Sequence, residues 1–380
     1  MYTRAIQFHS LGSASFFLWG ARQTGKSTLL KERYPHALVF DLLLSDVRRN
    51  FLERPERLRQ IVLEMNPVGP VIIDEIQKVP DLLNEVHWLI ENKSTQFILS
   101  GSSPRKILKA GHNLLGGRAL RCDLFPLTYS EIPNFDLLRA LNHGLLPRHY
   151  DATDPSKLLK AYIGNYLEDE IISETKIRKV EIFSKFLNKA AFSNGEIVNF
   201  TNIASECGVS SPTIKEYFSI LEDSLIGYFV PTFQKKPKRR VVSAPKFYFF
   251  DVGIANTLLE RKGITNHSFD FGAAFEHFIF QEIKAYSSYS EKEFKISYWR
   301  TSSQFEVDFV LGDHEVAIEI KSSDNITFRH CKGLLAFDDE YIVKKKIVVC
   351  QEAFPRKSDH GISIWPWQYF LKNLWSGAII

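Results

Sequence analysis

The feature that most constrains how this chain can fold is a glycine-rich stretch near its beginning. Residues 16–30 read FFLWGARQTGKSTLL, so the spacing G-x-x-x-x-G-K-S runs from Gly20 to Ser27. An apolar segment leads into the first glycine and a helical segment begins at Lys26, the context in which this spacing indicates a phosphate-binding loop. Glycines let the backbone turn its N–H groups inward, and the helix N-terminus adds positive partial charge. The alternative is an ordinary strand-to-helix turn.

The side chains of this loop predict its ligands. Lys26 is expected to reach the terminal phosphates of ATP, and the Ser27 hydroxyl to hold Mg²⁺, which prefers hard oxygen ligands together with phosphates. ATP and Mg²⁺ are therefore the predicted cofactors. The predicted nucleotide contacts in the loop are Gly20, Ala21, Arg22, Gln23, Thr24, Gly25, Lys26, Ser27 and Thr28.

A short apolar run downstream ends in two carboxylates, Asp74 and Glu75. It is typical of a buried parallel strand, and ligands of open α/β sheets bind at the carboxyl ends of such strands. Asp74 is expected to hold the Mg²⁺ shell. Glu75 is expected to orient or deprotonate the attacking water, which favours hydrolysis over transfer to a second substrate.

Two further positions are candidates for the same chemistry. Ser100 ends the apolar run 96–103, where a hydroxyl could sense the γ-phosphate; the alternative is a loop that caps the next helix. Arg118 follows two glycines, and its guanidinium could neutralise transition-state charge in cis or from a neighbouring subunit. The alternative for Arg118 is an ordinary ion-pair residue.

Periodicity and composition set the architecture. Strands are expected at 16–19, 36–41 and 71–74, alternating with helices at 53–65 and 82–90, which implies a parallel sheet with helices on both faces.

A chain of 380 residues suits two or three domains, and its net charge of +4 permits nucleic-acid contact without demanding it. The four cysteines lack C-x-x-C spacing, which suggests no zinc site and a reducing compartment. Since neither a signal peptide nor a membrane-spanning run is found, we expect a cytoplasmic protein without a membrane partner.

The middle of the chain carries a helix-turn-helix pattern. In residues 200–218 a short helix is followed by a glycine turn and a second helix, with Ser210 as its N-cap and Pro212 in its first turn. The second helix has an apolar face, formed by Ile214, Tyr217, Phe218 and Leu221.

A basic run follows where the wing of a winged-helix domain would lie. Contact with the DNA phosphate backbone is expected of it, and a solvated loop is the alternative. The predicted nucleic-acid contacts are Lys235, Lys236, Lys238, Arg239 and Arg240.

Two alternating segments in the last third predict a β-hairpin, 305–311 and 315–321. A two-residue turn at Gly312–Asp313 would place Leu311 opposite His314, Glu306 opposite Glu319 and Asp308 opposite Ala317. The period of two puts Glu306, Asp308, Glu319 and Lys321 on one face, with Val307, Phe309, Leu311, Val316, Ile318 and Ile320 on the other. Grouped carboxylates favour a divalent cation, and a charged solvent face is the alternative.

The motifs together resemble a known family, the bacterial and archaeal AAA-type ATPases that carry a C-terminal DUF4143 domain. The resemblance covers nearly the whole chain in order. One departure is residues 143–147, HGLLP, where such proteins commonly have Gly-Gly-x-Pro. The motifs that carry the resemblance are residues 20–27, 71–75, 99–103, 115–118, 125–131, 246–253 and 364–367, with Glu276, Asp308 and Glu319.

The hairpin also resembles the PD-(D/E)xK nuclease arrangement. The resemblance implies that Asp308 and Glu319 bind Mg²⁺ or Mn²⁺ and that Lys321 positions or activates water. Glu276, on the preceding helix, would complete the catalytic set.

These observations predict three domains. They are a P-loop AAA-type ATPase domain with a parallel α/β sheet over residues 1–150, a helical connector and winged-helix domain over 151–260, and an α/β PD-(D/E)xK nuclease-like domain over 261–380. The expected function is ATP binding and hydrolysis, with nucleotide state controlling a DNA-directed, metal-dependent nuclease-like domain. The alternative is an ATP-dependent conformational switch whose degenerate nuclease-like domain binds protein or nucleic-acid partners without cleavage. A homo-oligomer is compatible with either.

Overall fold

The computed structural model describes residues 2–8, 11–105, 107, 115–164, 180–235 and 241–380. Contacts divide the chain into two compact units, which we describe separately. The first comprises Thr3–Pro126 and Ile220–Ile226, and the second comprises Leu127–Ser219 and Gly227–Ile380. Within the described residues, no helix is both long and apolar enough to cross a membrane.

The first unit is built on a five-stranded sheet with the strand order β2-β3-β4-β1-β5. Every neighbouring pair is parallel, which confirms the predicted parallel sheet. The three inner strands are buried along their whole length, as continuous apolar segments between two helical layers should be. The strands are β1 Ser15–Trp19, β2 Leu38–Asp41, β3 Val71–Asp74, β4 Phe97–Gly101 and β5 Ala119–Asp123.

The helices of this unit differ from the prediction at one place. A helix is predicted over residues 53–65, but that helix begins only at Arg57, and a separate helix that was not predicted, Ser45–Glu53, ends before Pro55. Proline disfavours the helical conformation of the residue before it, and Arg54 accordingly has φ −142° and ψ 75°. The helices are Lys26–Arg33, Ser45–Glu53, Arg57–Met65 and Leu82–Lys93.

The second unit begins with helices that include the predicted helix-turn-helix pair. Phe200–Cys207 ends at Gly208, which takes the left-handed conformation with φ 68°, and the Ser210 hydroxyl accepts a hydrogen bond from the Thr213 backbone N–H at 3.3 Å. The helices are Leu137–His143, Pro147–Asp151, Ser156–Ala161, Val180–Phe192, Phe200–Cys207, Ser211–Asp223 (in this unit as far as Ser219) and Val252–Leu258.

An antiparallel pair of strands follows the helix pair, β6 Gly227–Val230 and β7 Lys246–Phe249. The predicted apolar face of the second helix is buried, at Ile214, Tyr217, Phe218 and Leu221. A winged-helix domain remains our prediction for this region.

The end of the chain forms a six-stranded mixed sheet with the order β12-β13-β11-β10-β9-β8. Strands β8, β9 and β10 form an antiparallel meander, and β10, β11 and β13 are parallel neighbours. The strands are β8 Ile296–Arg300, β9 Glu306–Leu311, β10 Val316–Ile320, β11 Lys345–Cys350, β12 Arg356–Lys357 and β13 Ser363–Pro366, and the helices are Phe271–Tyr289, Phe328–Asp338 and Trp367–Trp375.

Apolar side chains of this sheet fall into two buried clusters. Phe309 and Ile318 share one cluster with Phe278 and Ile283 of the helix Phe271–Tyr289. The second cluster brings together Val310, Ala317, Val348, Leu334 and Phe337. Because the two sets alternate along β9 and β10, the sheet is covered by apolar side chains on both faces.

The register of the hairpin differs from the prediction. Leu311 lies opposite Val316 and Val310 opposite Ala317, so the turn contains the four residues Gly312–Glu315 and not two. Gly312 and His314 both have left-handed backbone conformations, with φ 67° and 66°. The expected pairing of Glu306 with Glu319 is therefore wrong, since continuing the observed register places Asp308 opposite Glu319. A shift of two residues keeps each side chain of β10 on its predicted face.

A β-bulge also overturns the predicted position of Val307. Between the pairs Ser297–Val310 and Trp299–Val307, one residue of β8 faces two residues of β9, Asp308 and Phe309. The extra residue breaks the alternation, so Val307 packs in the cluster of Val310 and not in that of Phe309. The bulge thus occurs at one of the predicted catalytic carboxylates, Asp308.

Candidate functional site

The predicted phosphate-binding loop connects β1 to the helix that begins at Lys26. Both glycines of the pattern are required by the backbone. A Cβ at Gly20 would lie 2.5 Å from the carbonyl oxygen of Leu124, and Gly25 has φ 97°, a conformation that disfavours other residues. The loop follows the carboxyl end of β1, which is flanked by β4 and β5.

The side chain of Lys26 lies inside the loop and is 6% exposed. Its ammonium donates to the carbonyl oxygens of Gly20 at 2.7 Å and Ala21 at 3.3 Å. Arg4 braces the same loop, donating to the carbonyl oxygens of Thr24 and Phe125, both at 2.6 Å. Sequence reasoning did not identify Arg4, because no local pattern links the start of the chain to the loop.

The two residues predicted to hold Mg²⁺, Ser27 and Asp74, lie together with Ser100, the residue predicted to sense the γ-phosphate. The Ser27 hydroxyl donates to Asp74 Oδ2 at 2.6 Å, and the Ser100 hydroxyl donates to Asp74 Oδ1. Asp74 and Ser100 are paired residues on the neighbouring strands β3 and β4. Hydroxyl and carboxylate oxygens are hard ligands, so Ser27 and Asp74 fit a Mg²⁺ ion that also binds nucleotide phosphates.

Glu75 is buried directly after β3 and is only 8% exposed. Burial raises the pKa of its carboxyl, the nearby Lys26 charge lowers it, and Asp74 raises it again. The Gln77 carboxamide donates to Glu75 Oε2 at 2.5 Å and to the Ser102 hydroxyl at 3.0 Å. Gln77 and Ser102 were not identified from the sequence; the only local signal is that Gln77 follows the acidic pair by two residues.

Arg118 lies away from this site within one chain. It precedes β5, whose Ala119 pairs with Ser15 at the start of β1, whereas the loop follows Trp19, which pairs with Asp123. Five residues of strand span about 16 Å, so Arg118 lies at the amino-terminal end of the parallel strands, whereas the loop follows their carboxyl end. It forms an exposed ion pair with Glu91. Arg118 is therefore far from the loop of its own chain in this conformation, and its role, in cis or from a neighbouring subunit, stays a prediction.

Little of the predicted nucleic-acid run can be described. Lys235 forms an exposed ion pair with Asp313. The other predicted contacts, Lys236, Lys238, Arg239 and Arg240, lie outside the described residues. DNA contact by this run stays a prediction.

The residues of the predicted nuclease-like site come together in the second unit. Asp308 Oδ2 accepts a hydrogen bond from the backbone N–H of Ile320 at 2.7 Å, and Lys321 Nζ lies 2.5 Å from Glu319 Oε1. Glu319 Oε2 is buried and has no hydrogen-bond partner among the described residues.

The carboxyls of Asp308 and Glu319 both have raised pKa values, for the same two reasons. Burial raises the pKa of Asp308 to about 6, with the charge of Glu276 adding to the effect and Lys246 opposing it. Burial, followed by the Asp308 charge, raises the pKa of Glu319 well above its ordinary value. The ionised form of each carboxyl is disfavoured, because each is removed from water and close to a like charge.

A lysine that sequence reasoning did not identify lies among these carboxylates. Lys246 Nζ is 2.8 Å from Glu306 Oε1, 3.3 Å from Glu276 Oε1 and 3.9 Å from Asp308 Oδ1. The Tyr248 hydroxyl donates to the same Glu276 oxygen at 2.5 Å. Both side chains come from β7, in the motif 246–253 that carries part of the family resemblance, but this strand lies more than fifty residues before the hairpin, so no local pattern indicates their proximity.

This arrangement does not fit a divalent cation as the residues stand. Among the described residues, no group of three or more His, Cys, Asp or Glu side chains is placed to hold a metal ion. Asp308 and Glu319 supply neighbouring oxygens, but Glu276 and Glu306 are turned to Lys246. The metal predicted at Asp308 and Glu319 therefore stays a prediction, and the nucleotide site is the better-formed of the two.

Three family models match the chain in succession. An AAA domain matches residues 13–133, a domain of unknown function (DUF8612) matches 134–265, and another domain of unknown function (DUF4143) matches 271–370. The matches confirm the resemblance to an AAA-type ATPase with a C-terminal DUF4143 domain, and they support ATP binding.

Relatives share most of the chain at low identity. An uncharacterized protein of Haemophilus influenzae is 21% identical over 382 residues, covering 91% of each chain. An uncharacterized protein of Methanocaldococcus jannaschii is 22% identical over 357 residues, covering 83% of this chain and 76% of its own. A crystal structure of a Pyrococcus horikoshii signal transduction ATPase with numerous domains and a tetratricopeptide repeat sensor aligns with 75% of this chain and 46% of its own, at 12% identity and a TM-score of 0.23. This chain thus spans less than half of that structure, and a likeness so low carries no argument.

Proposed function

We propose that this protein hydrolyses ATP at the loop between β1 and Lys26. The observation that carries the proposal is the contact between Ser27 and Asp74, at 2.6 Å, beside a lysine buried in the loop. These are the groups that an ATP–Mg²⁺ complex requires: oxygen ligands for the metal and a cation for the phosphates.

Glu75 is the proposed base that orients or deprotonates the attacking water. Its buried position raises its pKa toward the range in which a carboxylate accepts a proton effectively. The Gln77 carboxamide, which donates to Glu75 at 2.5 Å, would hold the carboxylate in one orientation. When bound, Mg²⁺ supplies charge neutralisation on the phosphates; Ser27 and Asp74 would hold it.

The test separates nucleotide binding from turnover. Lys26→Ala should weaken ATP binding at least about tenfold, because a charge-assisted contact to phosphate is lost. Glu75→Gln should keep ATP affinity but turn over roughly 10²- to 10⁴-fold more slowly, the usual range for loss of a general base. Calorimetry measures binding and phosphate release measures turnover, with the exposed residues Lys31→Ala and Glu32→Gln as matched controls. Equal ATP affinity of Lys26→Ala and wild type would defeat the proposal.

A second candidate function concerns the acidic cluster of the DUF4143 region, by which we mean Glu276, Glu306, Asp308 and Glu319. We infer that nucleotide state controls a nuclease-like domain acting on DNA, with Glu276, Asp308, Glu319 and Lys321 as its site. What supports this is that Asp308, Glu319 and Lys321 adjoin one another and that a buried carboxylate oxygen of Glu319 lacks a described partner. The competing proposal is partner binding without cleavage, which the contacts of Lys246 with the carboxylates favour.

Labelled single- and double-stranded DNA, incubated with and without ATP, Mg²⁺ and Mn²⁺, distinguishes the two. Under the nuclease proposal, Asp308→Asn, Glu319→Gln and Lys321→Ala each abolish cleavage and keep ATP hydrolysis, whereas the exposed control Asp359→Asn cleaves normally. DNA that is retained but left uncut by the wild type under every condition would favour partner binding without cleavage.

A further inference from the structure

Lys246 lies outside the stretch that matches DUF4143, yet its side chain ends inside that region's acidic cluster. It begins β7, within the segment that matches DUF8612. Its side chain is 4% exposed, and its ammonium contacts Glu306 at 2.8 Å and Glu276 at 3.3 Å, with Asp308 at 3.9 Å. One ammonium therefore contacts three carboxylates, one from the helix Phe271–Tyr289 and two from β9.

The charge of this ammonium is secure. Burial by itself lowers the pKa of a lysine, but the charges of Glu276, Asp308 and Glu306 more than offset that effect and hold the pKa of Lys246 well above its ordinary value. Three carboxylates around one ammonium favour its charged form. The cluster thus already contains a permanent cation of its own.

Tyr248 fixes the arrangement from the same strand. Its hydroxyl donates to Glu276 Oε1 at 2.5 Å, the oxygen that also contacts Lys246. Burial and the Glu276 charge raise the pKa of Tyr248 well above its ordinary value, so the phenol keeps its proton. Two donors from β7 therefore hold Glu276 away from the role of a metal ligand.

One carboxylate oxygen of the cluster has no hydrogen-bond donor among the described residues. Glu319 Oε2 is buried without a described partner, although its neighbour Oε1 contacts Lys321 at 2.5 Å. A buried acceptor without a donor is costly, and a cation drawn to it would also meet Asp308. Such a cation would have to share the cluster with Lys246, which lies 3.9 Å from Asp308, and two like charges repel each other.

We infer that Lys246 and Lys321 are resident cations of the acidic cluster, and that Lys246, which lies among Glu276, Glu306 and Asp308, decides whether a divalent cation can be held there. While its ammonium lies between Glu276, Glu306 and Asp308, a divalent cation cannot gather three carboxylates there. Removing the ammonium takes away a positive charge beside Asp308 and leaves Glu276 held by Tyr248 and Glu306 by Arg300 at 3.3 Å, so that Asp308 and Glu319 can hold a divalent ion. The inference deepens the second candidate function and rests on it only for the role of the carboxylates.

The experiment measures Mn²⁺ binding by calorimetry on the full chain carrying Asp74→Asn, which removes the carboxylate proposed to hold Mg²⁺ at the nucleotide site, so that this site does not contribute. Adding Lys246→Met should tighten Mn²⁺ binding at least about tenfold relative to the same protein with Lys246, since a repelling charge beside Asp308 is removed. Lys357→Met, at an exposed lysine of β12, is the matched control and should change nothing. A folded Lys246→Met protein with unchanged Mn²⁺ affinity overturns the inference.

A second variant guards against misfolding, because Lys246→Met leaves buried carboxylates uncompensated. Lys246→Met combined with Glu306→Gln removes one charge of each sign and keeps Glu276, Asp308 and Glu319. It should also bind Mn²⁺ more tightly, and its failure to do so counts equally against the inference. DNA cleavage is scored separately, on variants whose nucleotide site is intact and with ATP present: tighter Mn²⁺ binding without cleavage by any of them removes the nuclease proposal and leaves the role of Lys246 intact.

Discussion

Gln77→Met should slow ATP hydrolysis without weakening ATP binding. The carboxamide of Gln77 donates to Glu75 at 2.5 Å and to Ser102 at 3.0 Å, and all three side chains are buried. Methionine has a similar length and no donor, so it removes the hydrogen bonds with little change in volume. A hydrogen bond to a charged group contributes about 1.5–3 kcal/mol. If it acts fully on the transition state, turnover should fall about 10- to 150-fold.

The assay is steady-state phosphate release over a range of pH. The KM for ATP should stay unchanged, because Gln77 makes no contact with the loop that holds the phosphates in this scheme. The hydrogen bond from Gln77 lowers the pKa of Glu75, so its loss should move the acidic limb of the kcat profile to higher pH. Gln60→Met, at an exposed position of the helix Arg57–Met65, is the matched control.

Two results would refute this reasoning. Wild-type turnover by Gln77→Met would show that the orientation of Glu75 does not depend on Gln77. A parallel loss of turnover and ATP affinity, with no shift in the pH profile, would show that the substitution damages the site as a whole.

Three further predictions concern other parts of the chain. Arg118→Ala should slow hydrolysis, and mixing it with Glu75→Gln protein should restore some activity if Arg118 acts across a subunit boundary; no recovery under conditions of subunit exchange removes that role. Burial raises the pKa of Glu282 to about 8, so the native state keeps a proton that the unfolded chain releases above about pH 4.3. The free energy of unfolding should therefore fall between about pH 4 and 8, by less than about 5 kcal/mol. Urea titrations at pH 5 and 8 measure this fall, and Glu282→Gln should make it smaller. An equal fall in the wild type and in Glu282→Gln would contradict the prediction. Gly101→Ala should lower stability by about 1–3 kcal/mol and reduce activity, since its Cβ would lie 2.3 Å from Gln77 Oε1 and 2.5 Å from the Trp19 ring, whereas Gly69→Ala, with nothing nearby, should be neutral in thermal unfolding.

Local features of the fold could be predicted because their causes lie within a few residues. The glycine spacing at Gly20 and Gly25, the apolar runs that became β1, β3 and β4, and the caps at Gly208 and Ser210 all depend on backbone conformation or on periodicity of burial. The break at Pro55 has an equally local cause, and its neglect explains why the helix predicted from residue 53 begins only at Arg57.

Features that depend on how distant segments meet were decided by the tertiary structure alone. Alternation predicted the faces of β10, but the conformation of the Gly312–Glu315 turn set the register and the bulge redirected Val307. The direction of β5 determined that Arg118 lies far from the loop in its own chain. Lys246 reaches Glu306 across sixty residues of sequence, and only the path of β7 brings the two together. Composition and spacing determine which groups are available for chemistry, whereas electrostatics within a few ångströms decides what they do, and the folded chain alone sets those distances.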